Sequence, residues 1–244
     1  MKSDNGKRLA QRRALVTGAG TPVGRAICES FAREGAWVIA VDGDIEAAEA
    51  SAALARAAGG TALALKTEAL DPTITEHIVD TAVQRVWQVD ILVNNTSRLG
   101  DGRDGNHTDW AATMAVNLEA SYRFALSVLP RMRSRGTGVI VTAAWCWGDG
   151  GETAERLARE ASVAAVQRLT RGLAAQAADS GIACYALAPR PGAPDPAASL
   201  AAASNGSTMP VGSDASPEQV AEWVARLAAT QGEVTSGART ATLC

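Results

Sequence analysis

The sequence predicts an α/β fold: a single doubly wound domain whose parallel seven-stranded sheet carries helices on both faces. Two observations predict it. Short apolar runs, bounded by Gly or polar residues, alternate with longer segments of helical period from one end of the chain to the other. A glycine-rich turn then joins the first apolar run directly to the first helical segment, as the opening of a right-handed βαβ unit requires. The runs are apolar on both sides, as strands covered on both faces must be.

In chain order, strands are expected over residues 14–17, 37–42, 61–65, 91–94, 139–143 and 182–188, with a seventh around 238–243. Helices are expected over 23–33, 46–58, 75–87, 109–135, 155–180 and 217–229. Residues 1–12 are basic and polar and read as a flexible tail. Residues 189–216, rich in Pro, Ala, Ser and Gly, read as a mobile lid over a substrate site. No repeat or charge block divides the chain, so residues 1–244 are read as one domain.

Composition narrows the function classes. Apolar residues make up 47% and charged residues 20%, which is ordinary for a globular protein. A net charge of -3 gives no electrostatic case for nucleic acid or an anionic membrane as partner. No apolar run approaches a membrane span, and the basic start has no apolar stretch behind it to make a signal peptide. Cys28, Cys146, Cys184 and Cys244 are widely spaced with no CxxC, and His77 and His107 are the only histidines. Free thiols, no metal site and a cytoplasmic location are the expectation.

The first strand runs into Thr17-Gly18-Ala19-Gly20-Thr21-Pro22-Val23-Gly24. Glycines there let the backbone turn tightly and approach a pyrophosphate, which the following helix N-terminus holds through N–H groups and dipole. Asp42 ends the second strand, where a carboxylate can accept both adenosine ribose hydroxyls. A 2'-phosphate would meet Asp42 and Asp44, so NAD(H) is expected over NADP(H). Pro22 is tolerated at the first helical position. It nevertheless places a ring and removes a donor where phosphates approach closest, so NAD(H) binding is expected to be weakened or absent.

These segments, in this order and spacing, resemble the short-chain dehydrogenase/reductase family over nearly the whole chain. The loop from Thr17 to Gly24 is similar to the family's TGxxxGxG, with Pro22 at the middle glycine. Glu68 stands where the family has an adenine-contacting Asp. Asn94-Asn95-Thr96-Ser97 resembles NNAG, and Asn117 matches the asparagine that kinks the fourth helix and holds a relay water. Pro189 closes the sixth strand, followed by Arg190 in place of a glycine. The resemblance implies a Rossmann-type fold and a cofactor site at Gly18, Gly20, Val23, Gly24, Asp42, Glu68, Asn94 and Pro189. It also implies an oligomer, of identical or mixed subunits, through helices 109–135 and 155–180.

The family's chemistry uses a Ser, a Tyr and a Lys four residues after the Tyr. The Lys lowers the Tyr pKa, since a free phenol near ~10 is a poor base at neutral pH. Aligning Ala164-Ala165-Val166 and the segment behind it puts Arg159 at the Tyr position and Val163 at the Lys position. Aligning on Gly148 puts Trp145 at the Ser position, and a one-residue shift would put Cys146 there. Tyr122 and Tyr185 are the only tyrosines, and Lys2, Lys7 and Lys66 the only lysines, so no register restores the triad. A guanidinium stays charged and cannot serve as a general acid or base. Two readings follow. One is a non-catalytic member that pairs with an active paralogue or presents a small-molecule site. The other is a divergent enzyme using Cys146, Asp149 or Glu152 beside the old pocket.

Overall fold

In a computed structural model of the chain, the residues described are 6–67, 72–95, 110–144, 154–189, 203–212 and 215–230. Seven strands form one parallel sheet in the order β3-β2-β1-β4-β5-β6-β7. They are β1 Arg13–Thr17, β2 Trp37–Asp42, β3 Thr61–Lys66, β4 Ile91–Asn95, β5 Gly138–Ala143, β6 Ile182–Pro189 and β7 Thr208–Val211. The helices are α1 Pro22–Arg33, α2 Ile45–Ala57, α3 Pro72–Val86, α4 Trp110–Met114, α5 Ala120–Arg135, α6 Ala154–Gln176 and α7 Pro217–Ala229. The strand order reverses between β1 and β4, and such a switch point opens a crevice beyond the strands' carboxyl ends.

The two-sided apolarity of the strands has its expected consequence. One core packs Val16, Val93, Val141 and Leu187 against α1 and α7, through Ile27, Phe31, Val220 and Val224. The other packs Leu15, Ile39, Leu92 and Ile140 against α3, α5 and α6, through Val79, Phe124, Met132 and Leu173. Alanines on α1, α2 and α7 let the backbones approach closely: Ala32, Ala52, Ala55, Ala221 and Ala225 are buried.

Three expectations need correction. The seventh strand is Thr208–Val211, inside the segment expected to be a lid, and its register pairs Leu187 with Met209 and Pro189 with Val211. Gly and Pro make it read as loop, but an edge strand pairs on one side only and tolerates Pro210. The strand expected around 238–243 lies outside the described residues, as does most of 189–216. The helix expected over 109–135 is interrupted: a π-helical turn at Ala115–Glu119 separates α4 from α5. Residues 7–12 are not a loose tail. Leu9 is fully buried, and its N–H donates to Glu34 O at 3.0 Å.

Arg8 fastens that segment. Its guanidinium donates to Glu34 Oε1 at 2.8 Å and to Glu222 Oε1 and Oε2 at 2.9 and 2.8 Å, joining the chain start to α1 and α7. Hydrogen bonding to Arg8, with Arg226 adding to it, holds the Glu222 carboxyl down to about 2 from its ordinary 4.5. A depressed carboxylate contributes stability that is complete above its unfolded pKa and lost as pH falls through the folded one. The triad is solvent-accessible, so its contribution is at most about 1 kcal/mol. Glu222→Gln is therefore expected to lower stability by about that amount at pH 7, with the difference from wild type shrinking between pH 4.5 and about 2 in denaturant titrations.

Candidate nucleotide site and the helix that faces it

The turn between β1 and α1 is built from contacts that only its own residue types allow. Gly18 has φ +60, and a Cβ on it would lie 1.9 Å from Asn95 O. A Cβ on Gly24 would lie 2.1 Å from Gly18 O, so helix and loop touch backbone to backbone. Thr21 is the N-cap of α1: its hydroxyl donates to Gly18 O at 2.8 Å and accepts from Gly24 N at 3.0 Å. Pro22 follows at the first helical position and has no N–H. Among the described residues nothing accepts from the Val23 N–H, which is the one donor this helix start leaves for an anion.

Asp42, at the end of β2, stands beside that turn. Its Oδ2 accepts from Gly20 N at 2.8 Å and its Oδ1 from Asp44 N at 3.1 Å. A carboxylate has about four acceptor positions, so roughly two stay available at the rim. Asp44 is the N-cap of α2, accepting from Glu46 N at 2.9 Å and Ala47 N at 3.4 Å. Gly20 lies against this pair, since a Cβ there would meet Asp42 Oδ2 at 3.0 Å and Ala47 Cβ at 2.6 Å.

The two asparagines ending β4 point to opposite faces and differ in role. Asn94 is buried and donates to Ser121 O at 3.2 Å, tying the sheet to α5. Asn95 Nδ2 donates to Gly18 O at 3.0 Å and to Thr21 Oγ1 at 2.9 Å. Asn95 and Thr21 therefore brace the loop, and neither is among the site residues expected from sequence. Strand alternation held the signal for Asn95, because neighbouring residues must face opposite ways.

The π-helical turn aims Asn117 at α6. Its Nδ2 donates to Ser162 Oγ at 3.0 Å, and that hydroxyl donates to Arg159 O at 2.7 Å. Ser162 is fully buried, so this bond locks the irregular turn to the helix. Arg159, only 9% exposed, and half-buried Val163 are one helical turn apart and share a face of α6. Thr142 and Ala144, at the carboxyl end of β5, are buried nearby in the sheet. Trp145, Cys146, Asp149, Glu152 and Glu68 lie outside the described residues, as does the side chain of Pro189. Cys28 and Cys184 are free and buried, and burial pushes both thiols up to about 12, leaving them inert. Among the described residues no group of His, Cys, Asp and Glu could hold a metal, and no helix is long and apolar enough to cross a membrane.

A parallel sheet with this reversal, a glycine turn capped onto a helix and an acidic residue closing β2 defines the chain as a Rossmann-type domain. The profile described as short chain dehydrogenase matches residues 12–205, and the chain belongs to the short-chain dehydrogenase/reductase family. It is 31% identical over 240 residues to cis-4-hydroxycyclohexanecarboxylate dehydrogenase of Sinomonas cyclohexanicum, covering 96% of this chain and 95% of that protein. It is 34% identical over 139 residues to D-threitol dehydrogenase of Mycolicibacterium smegmatis, covering 56% of this chain. That second match spans 54%, about half, of the relative's length. Among solved structures, NAD+-bound xylitol dehydrogenase superposes with a TM-score of 0.67 at 26% identity, over 76% of this chain and 74% of that one.

Proposed function

We propose that this chain is a non-catalytic member of the family, with a weakened NAD(H) cradle and a helical surface for an active paralogue. The observation that supports this reading is the face of α6, where Arg159 and Val163 stand one turn apart, at the positions to which the family resemblance assigns the phenol and amine.

The adenosine half of the cofactor fits the residues present. Gly18 and Gly24 let strand end, loop and helix pack backbone to backbone, Val23 offers an N–H at the helix start, and Asp42 keeps acceptor positions for ribose hydroxyls. Two carboxylates, Asp42 and Asp44, disfavour the 2'-phosphate of NADP(H). Pro22 removes one donor, which accounts for the weakening. Bound NADH would supply a hydride, but a carbonyl also needs a proton at its oxygen. A guanidinium is no general acid, Val163 has no proton to give, and the Ser162 hydroxyl is committed to Arg159 O and Asn117.

An exposed apolar face supports the partner. Trp110 on α4, Tyr122 and Leu126 on α5 and Leu157 on α6 are all exposed, on the helices through which the family resemblance implies assembly. Trp and Tyr are favoured at interface centres, and Tyr122 and Leu126 share one helical face. Co-expression with an active family dehydrogenase from the same genome is expected to give a mixed oligomer. Self-association alone would count against the reading. Turnover that collapses in Cys146→Ala, Asp149→Asn or Glu152→Gln would replace it with a divergent enzyme.

The brace gives a further expectation. Asn95→Ala removes two side-chain bonds to the loop and is expected to cost about 1–3 kcal/mol and to weaken NADH binding. Asn94→Ala removes the bond to Ser121 O and is expected to cost stability, as measured by melts.

A further inference from the structure

At the opposite rim of the sheet, where the strands begin, two arginines at the start of β1 and one at the end of α5 lie about the segment that carries Asp90. Arg12 precedes β1, Arg13 opens it and Arg135 ends α5. Asp90 is buried beneath them and already engaged: its Oδ2 accepts from Arg13 N at 2.9 Å and its Oδ1 from Gln88 Nε2 at 2.8 Å. Arg13 Nη1 is 3.9 Å from Asp90 Oδ2 and donates to Gln11 O at 2.9 Å. Arg135 Nη2 donates to Val89 O at 2.6 Å.

The donors outnumber the acceptors. Arg12 Nε, Arg12 Nη2 and Arg135 Nε are shielded from water and have no hydrogen-bond partner among the described residues. Three guanidinium charges face one carboxylate, and an orphaned buried charge is strongly unfavourable. Burial pulls Arg12 below the ordinary guanidinium range; Asp90 opposes this, while Arg135 and Arg13 add to it.

We propose that this amino-terminal rim binds a phosphate group, with the Arg12 fork as principal ligand and Arg135 and Arg13 completing the charge. A tetrahedral dianion balances the excess of two positive charges and matches the paired N–H geometry of guanidinium. The group is either free orthophosphate or the phosphate of a small monoester. The rim is on the opposite edge of the sheet from the glycine loop, so the two anion sites are separate.

The test is thermal unfolding of the full chain in chloride, orthophosphate, pyrophosphate and glycerol phosphate at matched ionic strength. Phosphate is expected to raise Tm by roughly 3–6 °C for each tenfold above its dissociation constant. A shift with orthophosphate alone identifies the free ion, and one with glycerol phosphate as well identifies the group. Arg12→Gln is expected to abolish the shift and to melt in chloride at or above the wild-type temperature, because it removes a half-buried cation with two unpartnered nitrogens. Arg12→Lys, which keeps the charge without the fork, is expected to weaken phosphate about tenfold. The proposal is overturned if phosphate leaves the wild-type Tm unmoved or if its effect survives in Arg12→Gln. It is also overturned if Arg12→Gln is destabilised or unfolded in chloride, since the guanidinium would then have a partner in the protein.

Discussion

Mixed with saturating NADH and a panel of aldehydes and ketones, the protein is expected to oxidise the coenzyme no faster than the buffer background. On the proposed reading, what is missing is a proton rather than the hydride. Loss of a positioned acid/base group costs about 10²–10⁴ in rate, or roughly 2.7–5.4 kcal/mol of barrier, before any loss of coenzyme positioning. A guanidinium is no general acid or base, and nothing on Val163 can tune a neighbour's pKa. Ser162 adjoins both in the helix, but its proton is given to Arg159 O and its acceptor position to Asn117. The combined change Trp145→Ser, Arg159→Tyr and Val163→Lys rebuilds the family's three groups. It is expected to raise NADH oxidation at least ~100-fold over wild type with some member of the panel. Arg159→Gln alone is expected to leave the background rate where it was.

The second large effect belongs to the glycine loop. Gly18→Ala is expected to cost more than about 3 kcal/mol and to abolish NADH binding. Two effects add. The left-handed φ of +60 is unfavourable by about 1–2 kcal/mol for any residue with a Cβ. The added methyl would also sit 1.9 Å from Asn95 O, a backbone atom at the end of a buried strand with little freedom to retreat. Gly172→Ala is the control. Gly172 lies inside α6 with no atom within 4 Å of the place a Cβ would take, so the substitution is expected to stabilise by about 0.5–1 kcal/mol. Denaturant melts read both, and NADH fluorescence separates the loop defect from the helix effect.

Much of this fold is legible because it is written in periodicity. Buried strands such as Ile91–Asn95 and Gly138–Ala143 leave continuous apolar runs, and the turn from Thr17 to Gly24 contains residues that few other conformations require. The features that are not legible have different causes. Strand β7 carries Pro210 and borders glycines, so local composition favours loop while pairing with β6 decides for strand. The π-helical turn around Asn117 is not legible in composition, and the family resemblance marks a kink there without its form. Leu9 and Arg8 look like part of a charged tail, and only the distant Glu34 and Glu222 anchor them. The rim arginines are invisible for the same reason: Arg13 reaches Asp90 and Arg135 reaches Val89 only when β1, α5 and the start of β4 are assembled.

The proposed loss of chemistry rests on α6 presenting a guanidinium and an isopropyl group at the positions the family resemblance assigns to proton transfer. A crystal structure of the protein soaked with NADH and a carbonyl compound tests this most directly. Arg159 and Val163 are expected to flank the nicotinamide, with no neutral acid within hydrogen-bond reach of the carbonyl oxygen. Cys146, Asp149 or Glu152 found within that reach, beside intact NADH, would contradict it.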